Sequence, residues 1–305
     1  LLALTLSSLS HPKQLLNSLT TTFMYSTAIL AAYSLMSLTF LTELAWLPAF
    51  MQSKTFTPTG SYLTTLTLFG TSIAIALSQL SIASTRFKSF LLAHLTITII
   101  ASVAILSLML PGSILASNLI PYGASWGITL DALKSLRSLL FGIGLSNFSL
   151  LYTTVKPLSL NLTPLWNTLP SGTSSELLTL LATGGILPTL TLVFLMFKGL
   201  IYTKNSPYFF PLITLILSLF FTPATLLHYC LFFIILGLSV QSEPRTTTLP
   251  TNTALIAGAT GIGLVLFLAY TLSRPFIGEY FMRKAQVALT QNDGKAVYDY
   301  HLSAL

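Results

Sequence analysis

Apolar residues gather along this chain in long runs, not at the spacing of a soluble amphipathic fold. Seven windows stand out, over 19–41, 61–82, 90–110, 176–197, 208–222, 224–240 and 253–272. A run of about 20 apolar residues crosses roughly 30 Å of hydrocarbon, so these windows predict membrane helices. The fifth and sixth are parted only by Thr222-Pro223, which predicts a tight re-entrant hairpin or a pair of short helices. Gly184, Gly185 and Pro188 in the fourth predict a kink or a close helix contact, tolerated in lipid where neighbours satisfy the freed backbone groups.

Two segments break this pattern. In 111–175, Trp126, Leu130, Leu133 and Leu140 recur at helical spacing, and Gly142 and Gly144 end the run. This predicts an amphipathic helix over 128–140, with Asp131, Lys134 and Arg137 on the opposite stripe and Lys134 pairing with Asp131. Such a helix lies at a membrane surface, its apolar face on the bundle and its bases toward the head groups. After residue 272 the chain becomes charged. "YFMRKAQVAL" and "AVYDYHLSAL" read as two amphipathic helices joined by the turn "TQNDGK". Their small and aromatic residues at helical spacing resemble the start of a tetratricopeptide repeat. One such hairpin cannot bury its own face, so further repeats are expected. The expected architecture is all-α: a transmembrane domain over 1–272 and the start of a helical-repeat domain over 273–305.

Composition narrows the classes. The chain is 53% hydrophobic and only 7% charged, with a mean hydropathy of +0.81. Soluble domains carry about 25% charged residues, so too little charge is present to solvate a surface. The net charge of +7 is scattered, with no basic stripe interleaved with aromatics, which argues against nucleic acid as a partner. The bases read as topology determinants. Arg86 and Lys88, Lys198 and Lys204, and Arg245 fall on one side when the helices are counted. Short basic loops favour the cytoplasm, so 111–175 and the tail are expected outside. A single cysteine, Cys230, excludes an internal disulfide and a cysteine metal site. The opening "LLALTLSSLSHPK" has no initiator Met and no charged n-region, and is read as the start of a fragment. His94 and His228 sit inside apolar windows, where hydrogen bonding to a neighbouring helix is the expected role. Glu43 beside Trp46 is expected at the interface.

Three stretches in order carry a resemblance: "TFTPTGSYLTTLTLFG" (55–70), "PYGASWGITLDALKSLRSLLFGIGLSNF" (121–148) and "PLWNTLPSGTSSELLTLLATGGIL" (164–187). Together they resemble the O-antigen ligase and polymerase superfamily of membrane glycosyltransferases, in particular a subfamily with a tetratricopeptide array after the last membrane helix. The resemblance implies a multi-pass protein of the bacterial inner membrane. Such enzymes take a glycan from a polyprenyl-diphosphate carrier on the outer face and pass it to a hydroxyl of a glycan, lipid or protein, with no metal or other cofactor.

In that chemistry bases stabilise the departing diphosphate, and Arg adds a bidentate fork for phosphate. Arg137 is the first candidate, then Lys134, then Lys156. Trp126, Trp166 and Asn167 are candidate substrate contacts. Ligases of the superfamily carry a functional His near the end of the outer loop, but no His occurs in 111–175. Glu176 is the nearby acid able to take its place as a base. As a plain helix-start residue it would instead complement the dipole of a helix capped by Ser174 or Ser175. The competing reading is a non-catalytic membrane anchor whose repeats hold an envelope or surface-layer partner.

Overall fold

The computed structural model describes residues 12–39, 47–48, 51–53, 56–80, 84–110, 113, 119–204, 206–240, 263, 278, 280–291 and 293–304. Every regular element among them is helical. The chain divides into two compact units, Leu2–Glu243 and Pro244–Leu305. The first holds α1 (Pro12–Thr39), α2 (Tyr62–Leu80), α3 (Thr85–Leu108), α4 (Tyr122–Ala132), α5 (Leu136–Phe141), α6 (Phe148–Val155), α7 (Glu176–Gly184), α8 (Ile186–Thr203), α9 (Phe209–Phe221) and α10 (Leu226–Val240). Three of these, α2, α3 and α8, are long and apolar enough to cross a membrane. α9 and α10 are apolar but shorter. The window 253–272 lies outside the described residues, as do Glu43, Trp46 and Arg245.

The helices tolerate many hydroxyls because each hydroxyl finds a carbonyl one turn back. Thr71 donates to the Thr67 carbonyl, Thr98 to that of His94 and Ser102 to that of Thr98, at 2.7 Å each. Most polar groups left over pair between helices, as lipid requires, with Tyr33 Oη and His94 Nδ1 the buried exceptions among the described residues. His94 Nε2 lies 2.7 Å from Ser72 Oγ, which lies 2.7 Å from Thr27 Oγ1, and this joins α3, α2 and α1. His228 Nδ1 accepts from the Thr225 backbone N–H at 3.1 Å. Its Nε2 therefore carries the proton of the neutral ring, and it donates to Thr67 Oγ1 at 3.0 Å. Both histidines are fully buried. His228→Ala is expected to lower stability by about 2 kcal/mol, because it removes both bonds and leaves a cavity. The check is a lower melting temperature in detergent.

Apolar packing sets the register of the bundle. Leu192 and Met196 of α8 share one core with Leu212, Leu215 and Leu219 of α9 and Phe232 of α10. Gly199 packs so closely that a Cβ there would touch Leu212 and Leu236. α8 and α9 therefore run antiparallel with residue 199 beside 212, which brings Pro188 level with Thr222 at the end of α9. Glu176 also meets Thr222: its backbone N–H donates to the Thr222 carbonyl at 3.2 Å. The start of α7 thus meets the end of α9, and the chain breaks at Gly185 before α8 begins, so α7 does not lengthen the α8 span. At the opposite end of α9, Tyr208 Oη lies 3.3 Å from Thr20 Oγ1 of α1. Arg86, Lys88 and Lys204 belong to that opposite end, since Leu91 of α3 packs with Met24 of α1.

The segment after 119 caps the α7 end. Ile120, Ile128, Ala132, Phe148, Tyr152, Leu160, Leu165 and Ala182 form its small core. The cap departs from the single helix expected over 128–140. The chain breaks at Leu133, and Ser135 starts α5 with a reciprocal capping box to Ser138. The buried face of α4 is Ser125, Ile128, Thr129 and Ala132, while Trp126 and Leu130 point outward. Hydroxyl pairing decides the rotation, because Ser125 Oγ lies 2.9 Å from Ser174 Oγ and its apolar neighbours are left to face out. The cap locks to α7 through two backbone bonds, Ile143 N–H to the Ala182 carbonyl (3.1 Å) and Gly144 N–H to the Thr183 carbonyl (2.9 Å). The expected discontinuity in the fourth window falls at Gly185, between α7 and α8.

In the second unit the described residues form a helical pair, α11 (280–290) and α12 (Gly294–Ala304). Asp293 accepts from the Ala296 N–H at 3.0 Å and starts α12. Ala285 and Ala288 are buried, and the Phe281 and Tyr300 rings stack at 6.5 Å. Small residues at this contact let the helices approach closely.

Candidate functional site

A cavity of about 370 Å³ opens at the capped end of the bundle. Its walls are Leu119 and Ile120, the turn Pro170–Thr173, Glu176 and Thr179 of α7, and Pro223 and Ala224 between α9 and α10. A volume of this order suits one or two sugar rings. The chain builds it from three turns that α7 brings together. Gly172 permits the approach of the first turn, since a Cβ there would stand 2.9 Å from Thr179 Oγ1. The Thr173 backbone N–H then donates to that same hydroxyl at 2.9 Å.

Glu176 is the acid among these walls, and it does more than start a helix. Neither Ser175 nor Ser174 supplies the expected cap. Ser175 stands at the cap position without a side-chain cap bond, and the Ser174 hydroxyl turns away to the Ile120 carbonyl and Ser125. Instead the Glu176 carboxylate reaches across the bundle end. Oε2 accepts from the Ala224 backbone N–H at 2.9 Å, and Oε1 accepts from the Tyr229 hydroxyl at 2.6 Å. Burial pushes its carboxyl above the ordinary glutamate range, while the donors from Tyr229 and Ala224 pull it back down. A carboxylate held this way, beside the hydroxyls of Ser171, Thr173 and Thr179, is able to orient a polyhydroxylated ligand and take up a proton from it.

The other candidates stand apart from this cavity. Lys134 pairs with Asp131 at 2.6 Å on an exposed stripe, as their spacing predicts, and such pairs contribute only about 0–1 kcal/mol. Arg137 is exposed, with no hydrogen bond or ion pair to any described residue. Lys156 is engaged: its ammonium donates to the carbonyls of Leu165 (3.3 Å) and Trp166 (2.7 Å) and lies 5.6 Å from the centre of the Tyr152 ring. Trp126, Trp166 and Asn167 are exposed on the cap. Of Lys134, Arg137, Trp166 and Glu176, therefore, Glu176 alone lines this cavity. The break at Leu133 is one reason, since it detaches Arg137 from the face carried by α4.

Tyr229, Ala224 and Thr179 were not among the expected site residues. Tyr229 lies 53 residues beyond Glu176 inside an apolar run, where no local pattern distinguishes it. No group of three or more His, Cys, Asp or Glu side chains able to hold a metal occurs among the described residues. No protein family, curated protein or solved structure matches this chain.

Proposed function

We propose that the protein transfers a glycan from a polyprenyl-diphosphate carrier to an acceptor hydroxyl, and that the Glu176 cavity is where the sugars meet. The observation that carries this reading is a half-buried carboxylate lining a cavity at the end of a bundle with three membrane-length helices. A lipid-linked sugar needs that combination: a site for polar rings at the depth where the carrier leaves the bilayer.

In this mechanism the acceptor oxygen attacks the anomeric carbon and the Glu176 carboxylate takes the acceptor proton. The bond from the anomeric carbon to the carrier oxygen breaks, and the diphosphate leaves with the electron pair. That diphosphate is bonded to the reacting anomeric carbon, so the base that meets its charge must reach the mouth of the sugar cavity from the cap. Arg137, exposed and unpaired among the described residues, is assigned to it, with Lys134 second because Asp131 already neutralises it. The capped end faces away from the cytoplasm in this reading, and Arg86, Lys88 and Lys204 mark the cytoplasmic end of a multi-pass inner-membrane protein. The pair α11–α12 begins a repeat array that holds a partner protein.

One observation favours the second reading, a non-catalytic anchor. Both Glu176 oxygens are engaged in tying α7 to the α9–α10 turn and to Tyr229, which is also what a purely structural clamp does. The experiment that separates the two is transfer of a lipid-linked glycan by wild type and by Glu176→Gln at matched stability.

A further inference from the structure

The cap exposes more apolar surface than the transfer reading uses. Leu158, Leu162, Trp166 and Leu169 are 82%, 93%, 64% and 69% exposed. They stand out further than Val103 and Ile99, which face outward from the membrane-length α3 at 60% and 46%. Soluble surfaces carry such residues singly, and four this exposed within 158–169 mark a contact.

The segment is not a loose loop. In two short 3₁₀ turns, Leu158–Leu162 and Pro164–Asn167, one residue of each is buried, Leu160 and Leu165, and polar Ser159, Asn161 and Asn167 are exposed beside the apolar residues. Leu160 and Leu165 sink into the cap core against Phe148 and Tyr152. The Lys156 ammonium bonds the Leu165 and Trp166 carbonyls, and the Thr163 hydroxyl accepts from the Leu165 N–H at 3.3 Å. The inward pair thus holds the outward residues in place, so little ordering is left to occur on contact.

We infer that these residues form a lipid-docking ridge, which inserts Leu158, Leu162, Trp166 and Leu169 into the phospholipid leaflet at the capped end of the bundle. Two observations favour lipid over a protein partner. The cap that carries these residues is tied to the end of an apolar helix, with the Tyr122 hydroxyl donating to the carbonyl of Phe221, itself an exposed residue. The segment 111–175 also carries one acid, Asp131, against three bases, Lys134, Arg137 and Lys156, a balance that suits phosphate head groups. Trp is the side chain that interfaces favour, with its ring in the acyl boundary and its N–H toward the head groups. The ridge does not depend on the transfer reading, because an anchor would use it equally.

The test is tryptophan depth. The chain has three Trp, so Trp46→Phe with Trp126→Phe leaves Trp166 as the sole emitter. The full chain is placed in nanodiscs, where both faces are open to the buffer, and made with lipids brominated near the head-group end of the acyl chains. The expected result is blue-shifted emission that loses more than half its intensity to the bromolipid and is shielded from aqueous iodide. Leu158→Asp with Leu162→Asp in that background should restore the emission and open Trp166 to iodide. Quenching by iodide without quenching by bromolipid in the parent overturns the proposal. Shielding from both also overturns it, since a second copy or another protein then covers the ridge. The parent measurement decides the matter even if the aspartate variant fails to fold.

Discussion

Gly185→Ala is expected to lose the folded state, and Gly142→Ala to do the same. The two glycines meet back to back where the cap crosses from α7 to α8. Gly185 has φ 81°, ψ −171° and Gly142 has φ 69°, ψ −170°, a region essentially closed to residues with a side chain. A Cβ on Gly185 would also stand 2.5 Å from the Gly142 nitrogen and 2.6 Å from the Leu140 carbonyl oxygen. Those are backbone atoms fixed by the bonds from Ile143 and Gly144 into α7, so they cannot swing aside. Backbone strain of about 1–3 kcal/mol and overpacking of a similar size together approach the whole stability of a typical fold. The check is monodispersity and melting temperature after extraction. Gly123→Ala and Gly127→Ala serve as controls: both lie in α4 with open space around them, and both should leave stability unchanged or slightly raised.

Glu176→Gln is expected to reduce transfer by about 10²–10⁴-fold, the usual contribution of a positioned proton acceptor, while leaving the fold intact. The amide is nearly isosteric. Its carbonyl still accepts from Ala224, and its NH₂ donates to the Tyr229 oxygen in place of the bond Tyr229 now donates. Glu176→Ala, by contrast, should lower stability as well as activity, because it orphans both donors. The pH dependence separates the roles further. Transfer needs the ionised carboxylate, so it is present above the carboxyl's pKa and falls as pH drops through it. Burial has raised that pKa, so the acid limb should lie above the ordinary glutamate value of 4.5, and Glu176→Gln should remove the limb.

The membrane-length helices were legible because lipid imposes a length on apolar runs: α2 lies within the window 61–82 and most of α3 within 90–110, whereas α8 begins ten residues into the window 176–197 and runs past it to Thr203, so that Lys198 lies inside the helix and not in the loop expected to hold it. The hairpin at Thr222-Pro223, the Asp131–Lys134 pair and the helices of the tail were legible for similarly local reasons: a breaker, a spacing of three, and a turn between two amphipathic runs. What sequence did not reveal is long-range. The break at Leu133 had a local signal in Ser135-x-x-Ser138, but hydrophobic spacing ran straight through it and pointed to one helix. Helical spacing of apolar residues points Trp126 and Leu130 inward, whereas Ser125 and Thr129 take the buried face, where they have hydroxyl and carbonyl partners 49 residues away. The glycines of "FGIGLSNF" read as a helix end and those of "LLATGGIL" as a kink or a close contact, but only the fold shows that the two meet each other. Glu176 was recognised as an acid at a helix start, but its bond to Tyr229 depends on how the start of α7 meets the end of α9.

The most direct measurement follows the leaving group. Purified wild-type protein is reconstituted in vesicles with a polyprenyl-diphosphate-linked glycan and a hydroxyl acceptor, and free polyprenyl diphosphate is counted against glycan gained by the acceptor. The account predicts that the two rise together, one for one, without added metal, and that both stop in Glu176→Gln protein with an unchanged melting temperature. Equal release by wild type and Glu176→Gln, or no release from a lipid-linked glycan by well-folded wild type, would contradict it and leave Glu176 as the clamp of an anchor.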